Sequence, residues 1–519
     1  MRVHGSQRPY SSLGVPRDAI RQPFACSNKK RPVKTAYTLQ TGLFSFTLPS
    51  KDTLLERISR KMLEKTLLNG KLHEALSQSL IPFGNSERPT TRAERLQLVN
   101  QLYQEIESGA YFPSVPRDYV TLNKHKGITR ICPQFSYRDT CVYYFCIRQL
   151  TEIIASGRVE GTFGGWRGSV PQRKNERDEQ LGDVQRISES LLLQDYETNS
   201  LFDPTSWVKE WGEFQRVIFA KSQQRVFNHY VKFDIANFYD SVNLDKIERS
   251  LRHTAGSDLM PVIDLLFVLL RHWNRRQEGY SSKTVGIPQN SSEDDCSRIL
   301  ANYYLQPYDR EMRELSSKHN FEYVRYSDDQ IIMLEDSSMA DQILHNASIF
   351  LHDLGLNLNS SKVIEFTSRE DFSYYWCFDV FGHLSNKQDH DAIKYGASYF
   401  RCKAESHDDR PWRYETILKR LVSTGVGILE GEDREFVVRE ALKAENFAIL
   451  DHRHLRNLDT LVQAGNERNS FEINIERTIS TSLFTDRLWN LKKFYGNRIS
   501  RAVDLSINTR LAAISIGLP

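Results

Sequence analysis

Apolar residues set two rhythms along this chain. From residue 50 onward Leu54, Ile58, Met62, Leu63 and Leu67 recur at three-to-four spacing, which predicts a helix with Ser50 as its cap. GNSERPTTR (84–92) breaks it, and a second helix is expected over 92–108, ending at Gly109. The rhythm then changes. YVTLNKHKGITRICPQ (119–134) reads as two strands joined by a basic turn at His125, Lys126 and Gly127. Asp139 to Ile154 carries a Tyr/Phe/Ile/Leu helical face. Residues 155–200 are rich in Gly, Arg, Gln, Glu and Ser, too long for a simple connection, so an insertion is expected near 155–205. A tryptophan-bearing helix over 207–228 follows.

The next stretch interleaves the two periods. It predicts a strand over 230–235, helices over 243–253 and 260–276, a loop over 277–290, a helix over 291–318 and a hairpin over 321–335. A helix over 338–354 and strands over 363–367 and 376–381 complete it. This order describes an α+β sheet covered by helices on one side. Beyond 388 the strand signal fades, and RPWRYETILKRLVSTG, REFVVREALKAE and SLFTDRLWNLKKFYG predict a separate, mainly helical region.

Composition adds bounds. At 519 residues the chain exceeds one ordinary core, so two to four packed units are expected. With 39% apolar and 26% charged residues it is a folding composition, not a disordered one. The net charge of +3 says little about nucleic acid, so any basic surface must be local. The seven cysteines include no CxxC pair, which fits buried thiols in a reducing compartment. The first residues have no apolar core of signal-peptide type, and no apolar run is long enough to span a bilayer, so a cytoplasmic location is expected.

The candidate chemistry lies where acids interrupt apolar runs. In HYVKFDIANFYDSV (229–242) a strand delivers Asp234 at its end, with Asp240 six residues later. In YVRYSDDQII (323–332) Asp328 and Asp329 occupy the turn of a hairpin. Such a pair either caps an exposed hairpin or is held out to grip something cationic. If the two strands are sheet neighbours, the acids converge and repel one another. A pair of Mg²⁺ ions suits hard carboxylate ligands and serves in-line phosphoryl displacement. Asp234 and Asp328 would hold the ions, Asp329 would assist, and the Ile235 carbonyl could add a ligand.

Further motifs surround these acids, and together they resemble a reverse transcriptase. FDIANFYDS is similar to the family's palm motif A, VGIPQNSSEDDCSRILANYYL (285–305) to motif B, and RYSDDQII to the motif C hairpin. LHDLGLNLNSSKVIEF (351–366) looks like motif D, CFDVFGHL (377–384) like the motif E hairpin, and KHKGITRICPQFSYRD (124–139) like the fingers motifs. The resemblance implies a right-hand polymerase-like fingers and palm followed by a mainly α-helical C-terminal domain. The implied division is an N-terminal arm and helices over 1–110, fingers over 111–230, palm over 231–387 and a thumb-like or oligomerisation domain over 388–519.

Carried over residue by residue, the resemblance implies that Asp234, Asp328 and Asp329 are the catalytic triad, with two Mg²⁺ ions and Mn²⁺ as a substitute. Lys126 and Arg130 would approach the triphosphate of an incoming dNTP, with Lys124 a weaker partner. Tyr239 would be the steric gate against a ribose 2′-hydroxyl, or else a core aromatic beside Phe238. Gln289 would touch template or nucleotide. Lys362 would act near the leaving pyrophosphate, or form a simple salt bridge. Asp240 is expected to act locally, not as a ligand. The chain departs from the family's usual PQG at Asn290 and from its usual alanine at Ser327.

Within the family the chain looks most similar to bacterial abortive-infection and defence-associated reverse transcriptases. That likeness implies antiviral defence, a structured noncoding RNA as template or scaffold, a DNA product, and a homo-oligomer or partner defence protein. It also allows template-independent or protein-primed synthesis. A retron or domesticated group II intron-type enzyme is the alternative within the family. Outside it stand an RNA-directed RNA polymerase, disfavoured by Tyr239, and a catalytically silent nucleic-acid scaffold. In the C-terminal region Trp412, Arg413, Trp489, Lys492, Lys493, Tyr495, Arg498 and Arg501 suit either a nucleic-acid-holding surface or solvated helix faces and an oligomer interface.

Overall fold

The computed structural model describes residues 58–76, 81–84, 87–125, 128–164, 206–224, 226–273, 284–289, 296–381, 384, 389–406 and 408–515. A hairpin pairs β1 (Asp118–His125) with β2 (Ile128–Gln134). The centre of the structure is a separate sheet of five strands: β3 (Thr162–Phe163), β4 (His229–Asp234), β5 (Glu322–Tyr326), β6 (Asp329–Leu334) and β7 (Ile364–Phe366). Their order across the sheet is β3-β5-β6-β4-β7. β3 runs parallel to β5, and all other neighbours are antiparallel.

The parity of the strands explains the layers. Val231, Phe233 and Ile332 project to one face and join the main apolar core. There they meet α1 (Tyr137–Ser156), the helix Met260–His272 and α3 (Cys296–His319); α2 (Ser206–Ser222) belongs to the other layer. The opposite face carries Tyr230, Val324, Ile331 and Met333, which join Phe214, Phe366, Phe372 and Trp376 in an aromatic cluster. A sheet covered on one side only is therefore not what forms. Alternate positions on β4, β5 and β6 are apolar on both faces, and α2 with the helix Arg369–Trp376 covers the second.

Most expected elements are present within a few residues. The insertion expected near 155–205 lies, beyond Gly164 and up to residue 205, outside the described residues. Two readings change. The described first helix is Arg60–Leu67, capped by Ser59, whose side chain accepts from the Met62 N–H; Ser50 lies outside the described residues. The stretch near 376–381, expected as a strand within a motif E hairpin, is the short helix Phe378–Phe381. It follows the helix Arg369–Trp376 after a left-handed Cys377, with φ 53°. Ser368 caps the preceding helix by accepting from the Asp371 N–H, and Phe372 and Trp376 bury on one helical face, so the aromatic spacing here is helical.

The C-terminal helices form their own apolar core, from Cys377 through Ile417, Leu421 and Val437 to Leu488 and Ile507. This region also touches the β1–β2 hairpin. The Thr121 N–H donates to Thr485 Oγ1 at 2.7 Å, and the Thr485 N–H donates back to Thr121 Oγ1 at 2.9 Å. Trp489 on α4 (Thr485–Tyr495) packs against Ile81, Val120 and Cys132. Thr485→Val leaves the Thr121 N–H without its buried acceptor, a loss of about 1–3 kcal/mol. Hydrogen exchange should show faster exchange of the Thr121 amide and its β1 neighbours in this variant, with protection unchanged on β4 and β6.

Candidate active site

The register of the sheet brings the acids together. Asp234 at the end of β4 lies directly opposite Asp329 at the start of β6. Asp328 precedes it in the turn, with its carboxyl in hydrogen-bonding reach of Asp234. Asp234 is buried, and Asp328 and Asp329 are half-buried. Burial, then the charges of Asp234 and Asp329, raise the Asp328 carboxyl from 3.8 to about 7. The hairpin is thus a support that presses like charges together, an arrangement that suits a cation and does not suit an exposed turn cap.

The turn is held from beneath. Ser327 adopts a left-handed backbone, φ 54°, which costs a non-glycine residue about 1–2 kcal/mol. Its N–H donates to the Phe163 carbonyl at 3.0 Å, and its carbonyl accepts from Arg325 Nη1 at 2.7 Å. Arg325 projects to the core face, fully buried, where Nε and Nη2 donate to the two oxygens of Asp309 at 2.8 and 2.5 Å. Its Nη1 also reaches Asn302 Oδ1 at 2.6 Å, and Asn302 in turn donates to the Gly164 carbonyl. Gly164 has φ +92°, and a Cβ there would stand 3.0 Å from the Ser327 nitrogen, so only glycine allows this approach. Tyr323 donates to Asp309 at 2.9 Å, and Tyr308 donates to Gln330 at 2.5 Å, which extends the polar layer.

Sequence reasoning passes over Arg325, Asn302, Asp309 and Gly164. The signal is nevertheless present: an arginine at an inward strand position, and polar residues seven apart on one face of α3, where apolar ones belong.

Two lysines stand among the acids. Lys362 Nζ lies 2.6 Å from Asp234 Oδ2, and Lys232 Nζ lies 2.5 Å from Asp329 Oδ1. Lys362 is where the sequence suggests a site residue; nothing in the sequence singles out Lys232. Among the described residues no group of three or more His, Cys, Asp or Glu side chains stands in metal-binding geometry. Asp234 and Asp328 do adjoin, and their oxygen donors fit a hard divalent cation, whose charge would relieve the repulsion that raises Asp328. Ile235 is buried and bridges Leu358, while the Asn359 N–H donates to the Asp234 carbonyl at 2.8 Å.

Motif B is docked onto motif A through the backbone. The Ile287 N–H donates to the Tyr239 carbonyl at 2.9 Å, and the Gly286 N–H to the Val242 carbonyl at 2.8 Å. Tyr239 is half-buried at the edge of the core, its ring 5.5 Å from Phe238. Gln289 follows, and among the described residues nothing hydrogen-bonds its buried Oε1. Arg130 lies on β2 opposite Leu122, and no described hydrogen bond or ion pair joins it to the acids. Lys126 and Asn290 lie outside the described residues, as does the side chain of Lys124. Asp240 is exposed. Asp139, the acid of the fingers motif, is used structurally, accepting from Tyr111 at 3.0 Å and from the Ser114 N–H at 2.8 Å.

Three of the C-terminal candidates are engaged within the protein. Arg413 stacks on Trp211 and Trp376, at 5.0 and 4.7 Å to the ring centroids. Lys492 lies 3.0 Å from Asp504 and over the Trp489 ring, and Trp489 itself faces the β1–β2 hairpin.

Residues 184–395 match the family model described as reverse transcriptase (RNA-dependent DNA polymerase). The chain therefore carries a reverse transcriptase domain, with β4 to β7, the acids and the docked motifs inside the matched span. It is a polymerase-type nucleotidyltransferase in fold. No curated protein matches the chain. Among solved structures, telomerase from Candida albicans in complex with a fragment of telomeric RNA is 12% identical, covering 80% of this chain and 70% of that one, with a TM-score of 0.30. Apo telomerase from Candida tropicalis is 10% identical, covering 84% and 78%, also with a TM-score of 0.30. Likenesses this weak carry no argument about function. Among the described residues no helix is long and apolar enough to cross a membrane.

The buried support and the raised carboxyl each lead to a measurement. Arg325→Met strands a buried Asp309 and should destabilise the protein by about 3–5 kcal/mol, read by chemical denaturation. Asp328 holds its proton in the folded state up to about pH 7, whereas its unfolded value is 3.8. Folding stability from this group therefore falls as pH rises through that window and is level above it. Asp328→Asn should melt at a higher temperature than the wild type at pH 8 in chelator, and the gap should close towards about pH 4.

Proposed function

We propose that the protein is a divalent-cation-dependent RNA-directed DNA polymerase acting in bacterial antiviral defence. The observation that carries the polymerase reading is the juxtaposition of Asp234 and Asp328 at a strand end and a braced turn. With the Ile235 carbonyl they are the groups that would hold the cations. Bound there, divalent cations would supply activation of a 3′-hydroxyl and stabilisation of the phosphate charge.

The chain's own residues do the rest. Tyr239 lies beside the motif B turn, where its ring would fill the space of a ribose 2′-hydroxyl and favour dNTPs. Gln289, whose buried acceptor has no hydrogen-bond partner among the described residues, would meet template or nucleotide. Lys126 and Arg130 would neutralise the triphosphate. Lys362, on a largely exposed side chain, can exchange Asp234 for the leaving pyrophosphate. The defence role, the noncoding RNA partner and assembly into oligomers rest on the sequence likeness, chiefly the departures at Ser327 and Asn290 and the helical C-terminal region.

The test is synthesis by the purified protein on a primed RNA template. It should incorporate dNTPs with Mg²⁺, lose incorporation in Asp328→Asn, and gain NTP incorporation by about tenfold in Tyr239→Val. Preference for NTPs by the wild type would reject the DNA polymerase reading. Bacteria expressing the wild type should resist phage, and those expressing Asp328→Asn should not.

A further inference from the structure

The two lysines among the acids are held differently. Lys362 carries its ammonium on a side chain that is 61% exposed, so it can release Asp234 into water at little cost. Lys232 is only 13% exposed. It lies two residues before Asp234 on β4, hence on the same face of the sheet, and pairs diagonally with Asp329 on β6. An ammonium confined there cannot leave its carboxylate without being buried unpaired, which is costly. Burial opposes its charge, but Asp329, then Tyr375 and Asp234, more than offset that, and its pKa stands above the usual lysine value.

A second cation acts on the same carboxylate through its field. Arg413 comes from the segment that opens the C-terminal helical region and is wedged between Trp211 and Trp376. Burial lowers its pKa, and Tyr375 and Asp329 act against that. Asp329 is therefore ion-paired to Lys232 and lies in the field of Arg413, whereas Asp328 is pressed against Asp234.

We propose that Lys232, backed by Arg413, is the fixed counter-ion of Asp329 and so divides the acid pair. Asp328 joins Asp234 in holding the divalent cations, and Asp329 stays with the protein's own cations as a positioning carboxylate. This rests on the cation-dependent reading above.

The test uses the full chain, with Mn²⁺ as the probe, titrated by calorimetry and electron paramagnetic resonance without nucleic acid. Primer extension is measured in parallel. Asp328→Asn should weaken Mn²⁺ binding by about tenfold or more, the effect of removing a unit charge at contact distance. Asp329→Asn should keep Mn²⁺ affinity within about threefold while slowing synthesis, because it alters positioning and not ligation. Lys232→Met should free Asp329 and tighten Mn²⁺ binding by about tenfold, Lys232→Arg should restore the wild-type affinity, and Lys232→Met with Asp329→Asn should return to the Asp329→Asn value. Loss of Mn²⁺ binding in Asp329→Asn equal to that in Asp328→Asn would overturn the division of roles, as would unchanged or weaker binding in Lys232→Met. If the wild type binds no Mn²⁺ at all, the cation-dependent reading falls first, and this proposal with it.

Discussion

The buried guanidinium of Arg325 is the constraint on which the site depends. It is fully enclosed, and its charge is tolerable only because Asp309 meets it with both oxygens. That pairing leaves Nη1 to hold Asn302 and the Ser327 carbonyl. A left-handed serine is thereby kept in place, and the serine sets where Asp328 begins. The energetic logic runs from a helix residue, through a strand residue, to a turn, and only then to the acid.

Above the sheet the logic is reversed. There Lys362 meets Asp234 and Lys232 meets Asp329, while Asp328, half-buried beside both acids, is driven up to about 7. Below, Arg325 is bound through Nε, Nη1 and Nη2 to Asp309, Asn302 and Ser327; above, Asp328 is pressed against Asp234 in an arrangement that suits a cation. The C-terminal region takes part in both. Arg413 reaches the aromatic cluster beside Asp329, and the Thr121–Thr485 pair ties α4 to the β1–β2 hairpin. The helical region is thus joined to the sheet side and to the hairpin, not appended to one end.

Much of this is legible in the sequence. The strand bearing Asp234, the hairpin bearing Asp328 and Asp329, and the helices around them follow from period and turn chemistry. Lys362 as a partner of the site comes from the resemblance of LHDLGLNLNSSKVIEF to motif D, not from period. The motif E stretch is ambiguous: Trp376, Phe378 and Val380 alternate as a strand would, while Phe372 and Trp376 repeat as a helix would, and the helix wins. Trp489 and Arg413 suggest a nucleic-acid surface, yet both are used in packing, since an exposed aromatic and a buried one look alike in a sequence.

The sequence by itself determined which residues could bear the chemistry and in what order the elements run, because hydrophobic period and turn preference are local properties. Only the tertiary structure decided how the acids are shared. Which carboxylate faces which depends on strand register, and which lysine is trapped depends on burial. Those are relations between segments far apart in the chain, and no local pattern encodes them.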